Sequence, residues 1–278
     1  MFMKRKIAAI ILNYVSWKDT LEEVEVCKKK LGLHSQDIIV VDNCSPNDSA
    51  ENLEKKSKDN FVFIRSLRNG GYAAGNNIGL KYANENGYDY ALVINNDIIV
   101  EDEFLLDKLV SVFEKDKSVG AVSPDIYSPE GHLFNRDSIK PSFWDFTLGL
   151  LNYKRKGRKV VDLGGYGYVY RPQGCCMMLK LNVMKAVDYM DETTFLYCEE
   201  FILAEKMNSL GYKCACCLNS SIIHNHSKVV KSNIKLKKII SINNESFAYY
   251  LRTYRHFNAI FVKICCAFNG LKIKMLES

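Results

Sequence analysis

Residues 90–101 read YALVINNDIIVE. The run Tyr90–Ile94 has the composition of a strand buried on both faces, as in a parallel sheet. Asn95, Asn96 and Asp97 break it, and the apolar run resumes at Ile98. Three polar side chains with no apolar face of their own must cap a turn or hold a ligand.

Strand-like runs also occupy Ile7–Leu12, Asp37–Val41 and Phe61–Ile64, separated by helix-like stretches at Trp17–Leu31, Ser49–Lys58 and Asn76–Asn86. This is the βαβ rhythm of an α/β, doubly wound sheet. Ligands of such sheets lie beyond the carboxyl ends of the strands. Those ends carry Asn13-Tyr14, Asp42-Asn43, a loop predicted over Arg68–Gly75 (RNGGYAAG) and Asn95-Asn96-Asp97, so one edge is polar. Gly120–Ser123, Cys175–Leu179 and Lys213–Leu218 are predicted to add strands, and Glu199–Leu210 a helix closed by Gly211. Ser138–Gly174 has no clean period and reads as loop, a candidate lid. No internal repeat is evident.

The 278 residues, 47% hydrophobic, suit one domain with a C-terminal extension. Ten cysteines, several of them adjacent, do not resemble a disulfide framework, and with no secretory signal they point to a reducing cytosol. Ile7–Leu12 is too short for a signal-peptide core or a membrane span. Charge is uneven: residues 228–278 hold ten Lys or Arg against Glu245 and Glu277, leaving residues 1–227 slightly acidic. Such a tail suits an anionic membrane surface or a nucleic acid; equally, it is a helical appendage packing an apolar stripe on the main domain. Lys263 interrupts its most apolar part, which argues against a transmembrane helix.

Asp97 between amides and apolar residues suits a hard divalent cation, Mg2+ or Mn2+, sharing its ligands with a phosphate. The alternative is an Asx turn with no metal. Asp42 reads either as a turn residue or as an acceptor for a base or ribose. Asn69-Gly70-Gly71 allows close backbone approach to a ligand. The loop after the first strand is not GxGxxG, so a nicotinamide dinucleotide site is poorly supported. Cys214, Cys216 and Cys217 lack the paired spacing of a zinc site, and Ser220-Ser221 lacks a nucleophile elbow.

The blocks ILNYVSWKDT, VVDNCSPNDS, RNGGYAAGNNIGL, INND and MDETTFLYCEEFILAEKMNSLGYK follow one another at the spacing of family 2 glycosyltransferases. The chain resembles that family, particularly its rhamnosyl- and galactofuranosyltransferase-like branch, over roughly residues 6–227. The resemblance implies a glycosyltransferase A-type fold, a Rossmann-like mixed sheet flanked by helices. It also implies a catalytic domain at 1–227 followed by a basic amphipathic helical extension at 228–278. The implied activity is inverting transfer from a nucleotide sugar, UDP- or dTDP-linked, to an acceptor hydroxyl.

Carried over by position, the resemblance puts Asn13, Tyr14 and Asp42 in the nucleotide pocket and Asn69, Gly71 and Asn77 on the donor side. Asn95-Asn96-Asp97 stands where the family has Asp-X-Asp, so Asp97 is the charged metal ligand, with Asn95 and Asn96 beside the donor. Glu200 falls on the catalytic base, usually Asp, with Glu199 orienting the site. His224 matches a histidine that reaches the metal or diphosphate; His226 is a weaker candidate. The implied acceptor is a glycan or lipid-linked glycan of bacterial surface polysaccharide synthesis, with no nucleic-acid partner. The expected location is cytoplasmic, peripheral to the inner face of the membrane through the tail. Two other classes fit the residues less well: a sugar nucleotidyltransferase and a non-catalytic carbohydrate-binding protein.

Overall fold

The computed structural model describes residues 5–150, 160–225 and 236–277. Among these, four parallel strands, β1 (Ile7–Asn13), β2 (Ile38–Asp42), β3 (Val62–Arg65) and β4 (Tyr90–Ile94), lie in the order β3-β2-β1-β4. Every residue of β2 and β4 is buried, which is why both read as unbroken apolar runs without alternation. The chain leaves β1 for β2 on one side and reaches β4 on the other. The carboxyl ends of β1 and β4 therefore border a topological switch point, where such sheets bind ligands.

Beyond β4 the sheet becomes mixed. Five further strands are β5 (Ile98–Val100), β6 (Val119–Tyr127), β7 (Tyr166–Val169), β8 (Cys176–Lys180) and β9 (Lys213–His224). The order continues β4-β8-β6-β9-β5, with β7 also on β9. β6 and β9 are longer than the sequence suggests, because a register shift between Pro124 and Asp125 lets the ladder continue past the proline.

Helices α1 (Trp17–Lys29), α2 (Ser49–Ser57) and α4 (Leu105–Lys115) cover one face, burying Val24, Leu53, Leu109 and Phe113 against Ile11, Val40 and Leu92. Helices α3 (Gly71–Glu85), α6 (Leu181–Ala186) and α7 (Glu199–Ser209) cover the other, burying Leu80, Met184, Leu203 and Met207 against Ile10, Ile39 and Val93. Successive strand residues thus feed opposite cores, as a period of two requires.

Helix α3 begins at Gly71, inside the stretch expected to be a loop. Its glycines serve packing: a Cβ on Gly75 would lie 2.5 Å from Leu12 Cδ1, and one on Gly79 would lie 2.6 Å from Ile10 Cγ2. The helix backbone therefore approaches β1 more closely than side chains permit.

A third core holds the C-terminal extension. Ile202 on the outer face of α7 packs with Phe247, Tyr250 and Leu251 of α8 (Leu236–Thr253) and with Val262 and Cys265 of α9 (Ala259–Glu277). Phe143 and Phe146 of the short helix α5 (Phe143–Phe146) close it. The predicted boundary at 227–228, His226 and the middle of the candidate lid lie outside the described residues.

Candidate active site

Strand β5 explains why the apolar run resumes after Asp97. It pairs antiparallel with β9, setting Ile98 opposite His224, while the Asn225 N–H donates to the Asp97 carbonyl at 3.0 Å. That pairing brings His224 Nε2 to 3.2 Å from Asp97 Oδ1. The three polar residues then diverge. Asn95 lines a cleft of 580 Å³, Asp97 meets the imidazole, and Asn96 turns toward α1, donating to Ser16 Oγ at 2.8 Å and Thr20 Oγ1 at 2.9 Å.

Behind Asp97 lies Glu23 of α1, which the sequence reading passed over. It is buried, and that burial together with the Asp97 charge pushes its carboxyl up to about 8, against the lowering effect of a hydrogen bond from the Ile98 backbone. A signal was available, since Thr20, Glu23, Val24 and Cys27 share the buried face of α1.

At the ends of β1 and β2, Asn13 and Asp42 form a buried network. Asn13 Nδ2 donates to Asp42 Oδ1 at 2.7 Å, Thr20 donates to Asn13 Oδ1 at 2.8 Å, and Ser45 donates its N–H and O–H to Asp42. The network ties two strand ends to α1, and Tyr14 stands exposed beside it. Val15 follows at φ +60°, a conformation that costs a β-branched residue about 1–3 kcal/mol.

The residues expected on the donor side are engaged elsewhere. Asn69 Oδ1 accepts from Asn43 and from the Gly71 N–H. Gly71 has φ +88°, and a Cβ there would sit 2.0 Å from the Phe195 carbonyl oxygen. Asn77 is buried, donating to Met190 O and Glu192 Oε1, both at 2.8 Å, and accepting from the Met190 N–H. The structure does not bring Asn69, Gly71 or Asn77 into the cleft. Asn77 fastens α3 to the segment leading into α7, Gly71 lets the helix start pass close to Phe195, and Asn69 ties that start to Asn43 after β2.

Tyr197 and Cys198, at φ +75° and +67°, aim the start of α7 so that its first two residues, Glu199 and Glu200, line the same cleft as Asn95 and His224. Glu200 Oε1 accepts from the Gly174 N–H at 3.2 Å and lies 3.9 Å from the Arg171 guanidinium, which covers the Phe201 ring at 4.5 Å. Glu199 is buried, its Oε1 without a hydrogen-bond partner; burial, then the Glu200 charge, pushes its carboxyl up to about 8. Burial thus favours the protonated form of Glu199, while Glu200 faces a cation and an amide. Tyr72 donates to the Gly174 carbonyl at 2.6 Å and completes the floor. The far wall includes Asn243, Phe247, Phe268, Asn269, Lys272 and Met275 from α8 and α9, a contribution the sequence did not announce.

Among the described residues no group of three or more His, Cys, Asp or Glu forms a complete metal cage. Asp97 with His224 fits a divalent ion that takes its remaining ligands from water and a substrate phosphate, and the imidazole suits Mn2+ better than Mg2+.

The family model described as glycosyl transferase family 2 matches residues 9–180, from β1 to the end of β8. The chain belongs to glycosyl transferase family 2. This family 2 chain is 27% identical over 223 residues to the low-salt glycan biosynthesis hexosyltransferase Agl10 of Haloferax volcanii, covering 79% of this chain and 67% of that protein. Three solved structures share its glycosyltransferase A-type fold. GalNAc-T7 with UDP, GalNAc and Mn2+ gives a TM-score of 0.62 at 13% identity, covering 97% of this chain and 55% of that one. The mannosyltransferase PcManGT of Pyrobaculum calidifontis with GDP-Man and Mn2+ gives 0.60 at 14% identity, covering 98% and 72%. TarS of S. aureus with UDP-GlcNAc gives 0.54 at 14% identity, covering 95% and 71%. The family-model match stops before α7 and β9, so it does not reach Glu199, Glu200 or His224.

Proposed function

We propose that this family 2 chain transfers a sugar from a nucleoside-diphosphate sugar, UDP- or dTDP-linked, to an acceptor hydroxyl with inversion at the anomeric carbon. The observation that carries the reading is the shared cleft, which has Asn95 and His224 toward the end of β4 and Glu199 and Glu200 at the start of α7. Tyr14 and the Asn13–Asp42 network receive the nucleotide at the switch point. Asp97 and His224 are the residues that would hold Mg2+ or Mn2+, and such an ion offsets the charge of a departing diphosphate. Glu200 takes the acceptor proton as that oxygen attacks the face of the sugar opposite the leaving group. Glu199, protonated, donates a hydrogen bond into the cleft.

The nucleotide sugars and Mn2+ bound by the structural neighbours support this donor class, and the haloarchaeal hexosyltransferase supports a glycan product. The acceptor is a glycan or lipid-linked glycan, and the setting is surface polysaccharide synthesis at the cytoplasmic face of a bacterial membrane. The test is a panel of nucleotide sugars with Mn2+. Release of nucleoside diphosphate from one donor supports the reading; pyrophosphate release would make the protein a nucleotidyltransferase, and silence across the panel a binding module.

A further inference from the structure

Helix α9 buries one face and leaves the other open. Val262 and Cys265 enter the third core, whereas Ile260, Ile264, Ala267, Leu271 and Met275 are all exposed, Ile260 and Met275 by 69% and 73%. Their spacing of four, three, four and four puts them on one stripe along the whole helix. Lys263 and Lys274 follow one border of the stripe and Lys272 the other, and no acidic residue occurs in the helix before Glu277. Trp144, also exposed, adjoins Phe143, whose ring lies 4.6 Å from that of Phe261.

We propose that this face of α9 lies on an anionic bilayer surface and presents the cleft to it. An apolar stripe bordered by lysines is the pattern of a helix lying in the interface plane: the stripe enters the headgroup boundary and the ammonium groups meet lipid phosphates. Trp144 suits the same depth. Among the described helices none is long and apolar enough to cross a membrane, so α9 rests on the bilayer without spanning it. A second copy of this chain is the competing occupant, since the spacing also suits a coiled-coil seam. There the lysines of the two copies would face one another with almost no acid to answer them. Lys272 and Met275 line the cleft as well, so an acceptor anchored in the bilayer enters beside the bound helix. That last consequence rests on the transferase reading; the docking itself does not.

The test is co-sedimentation of the full chain with phosphatidylcholine vesicles, with and without phosphatidylglycerol, at low and high salt, beside donor hydrolysis without acceptor. Wild type is expected to pellet with phosphatidylglycerol vesicles at low salt and to be released by high salt. The double variant I264D/L271D should lose at least roughly tenfold in partitioning. K263E/K274E should lose roughly tenfold, at low salt only. Both variants should hydrolyse donor at the wild-type rate, since neither pair lines the cleft. Wild type that stays in solution, or variants that pellet like wild type, would overturn the proposal. So would a wild-type dimer that becomes monomeric in I264D/L271D with no change in lipid binding, which assigns the face to a second copy. Sedimentation needs no turnover, so vesicle binding without hydrolysis would sink the transferase reading alone.

Discussion

Asn95 and Glu200 are fastened to adjacent residues of one backbone segment: the Asn95 N–H donates to the Cys175 carbonyl at 2.9 Å, and Glu200 Oε1 accepts from the Gly174 N–H at 3.2 Å. In the proposed mechanism, the diphosphate end and the base end of the cleft thus share a floor. A Cβ on Gly174 would come within 2.9 Å of Glu200 Oε1 and 3.1 Å of the Tyr72 hydroxyl. Gly174→Ala should lower kcat by roughly tenfold or more, with the KM for donor nearly unchanged, because the base is displaced while the nucleotide end stays in place. Steady-state kinetics at varied donor concentration checks this.

Asp97→Asn removes the carboxylate beside His224 and keeps its shape. Metal-stimulated donor hydrolysis should fall by roughly 10²-fold or more. The thermal midpoint should move by only a few degrees, since the residue sits in the turn between β4 and β5 and does not fill the core. Nucleoside diphosphate release with and without added Mn2+ gives the answer.

For Glu200→Gln, transfer should drop by about 10²-fold or more at unchanged donor affinity, in line with the loss of a general base. Donor affinity from calorimetry, set beside single-turnover transfer, separates the two quantities. A wild-type rate would move the base to Glu199.

Glu199 links stability to pH. Its folded carboxyl is pushed up to about 8 from an ordinary 4.5, so between those values the unfolded chain has released a proton that the native state keeps. Stability from this residue therefore declines as pH rises from about 4.5 to about 8, then levels off. Glu199→Gln removes the penalty, and the variant should gain on wild type across that window by on the order of a few kcal/mol at the upper end, with no gain below it. Urea denaturation at several pH values measures the difference.

Asn77→Ala should destabilise the fold by about 1–3 kcal/mol, since it strands the buried Met190 N–H and carbonyl. It should also lower kcat through the loosened approach to α7 while leaving the KM for donor in place. Denaturant midpoints and initial rates test both parts.

The strands of the first half were legible because β2 and β4 are buried on both faces, and burial of that kind writes itself as uninterrupted Ile, Val and Leu. The helix that Glu199 and Glu200 open was legible through the closing Gly211. The start of α3 was misread because Gly70-Gly71 and Gly75 look like loop until Phe195 is seen against Gly71 and β1 against Gly75. The commitments of Asn77 and Asn96 were invisible for a different reason. An amide gives no local sign of its partner, and Met190 lies 113 residues from Asn77. Likewise the apolar stripe of the tail could be read, but not that both its helices would dock on the outer face of α7 and wall the cleft.

The pairing of β5 with β9 carries a consequence for how the molecule comes into being. Asp97 is made early and His224 late, and only the final ladder, Ile98 against His224, unites them. A nascent chain halted before Lys213 would hold Asp97 yet lack the His224 imidazole that faces it. Under the function proposed above, affinity for Mn2+ would gauge completed synthesis, and an unfinished polypeptide would leave its sugar donors unspent.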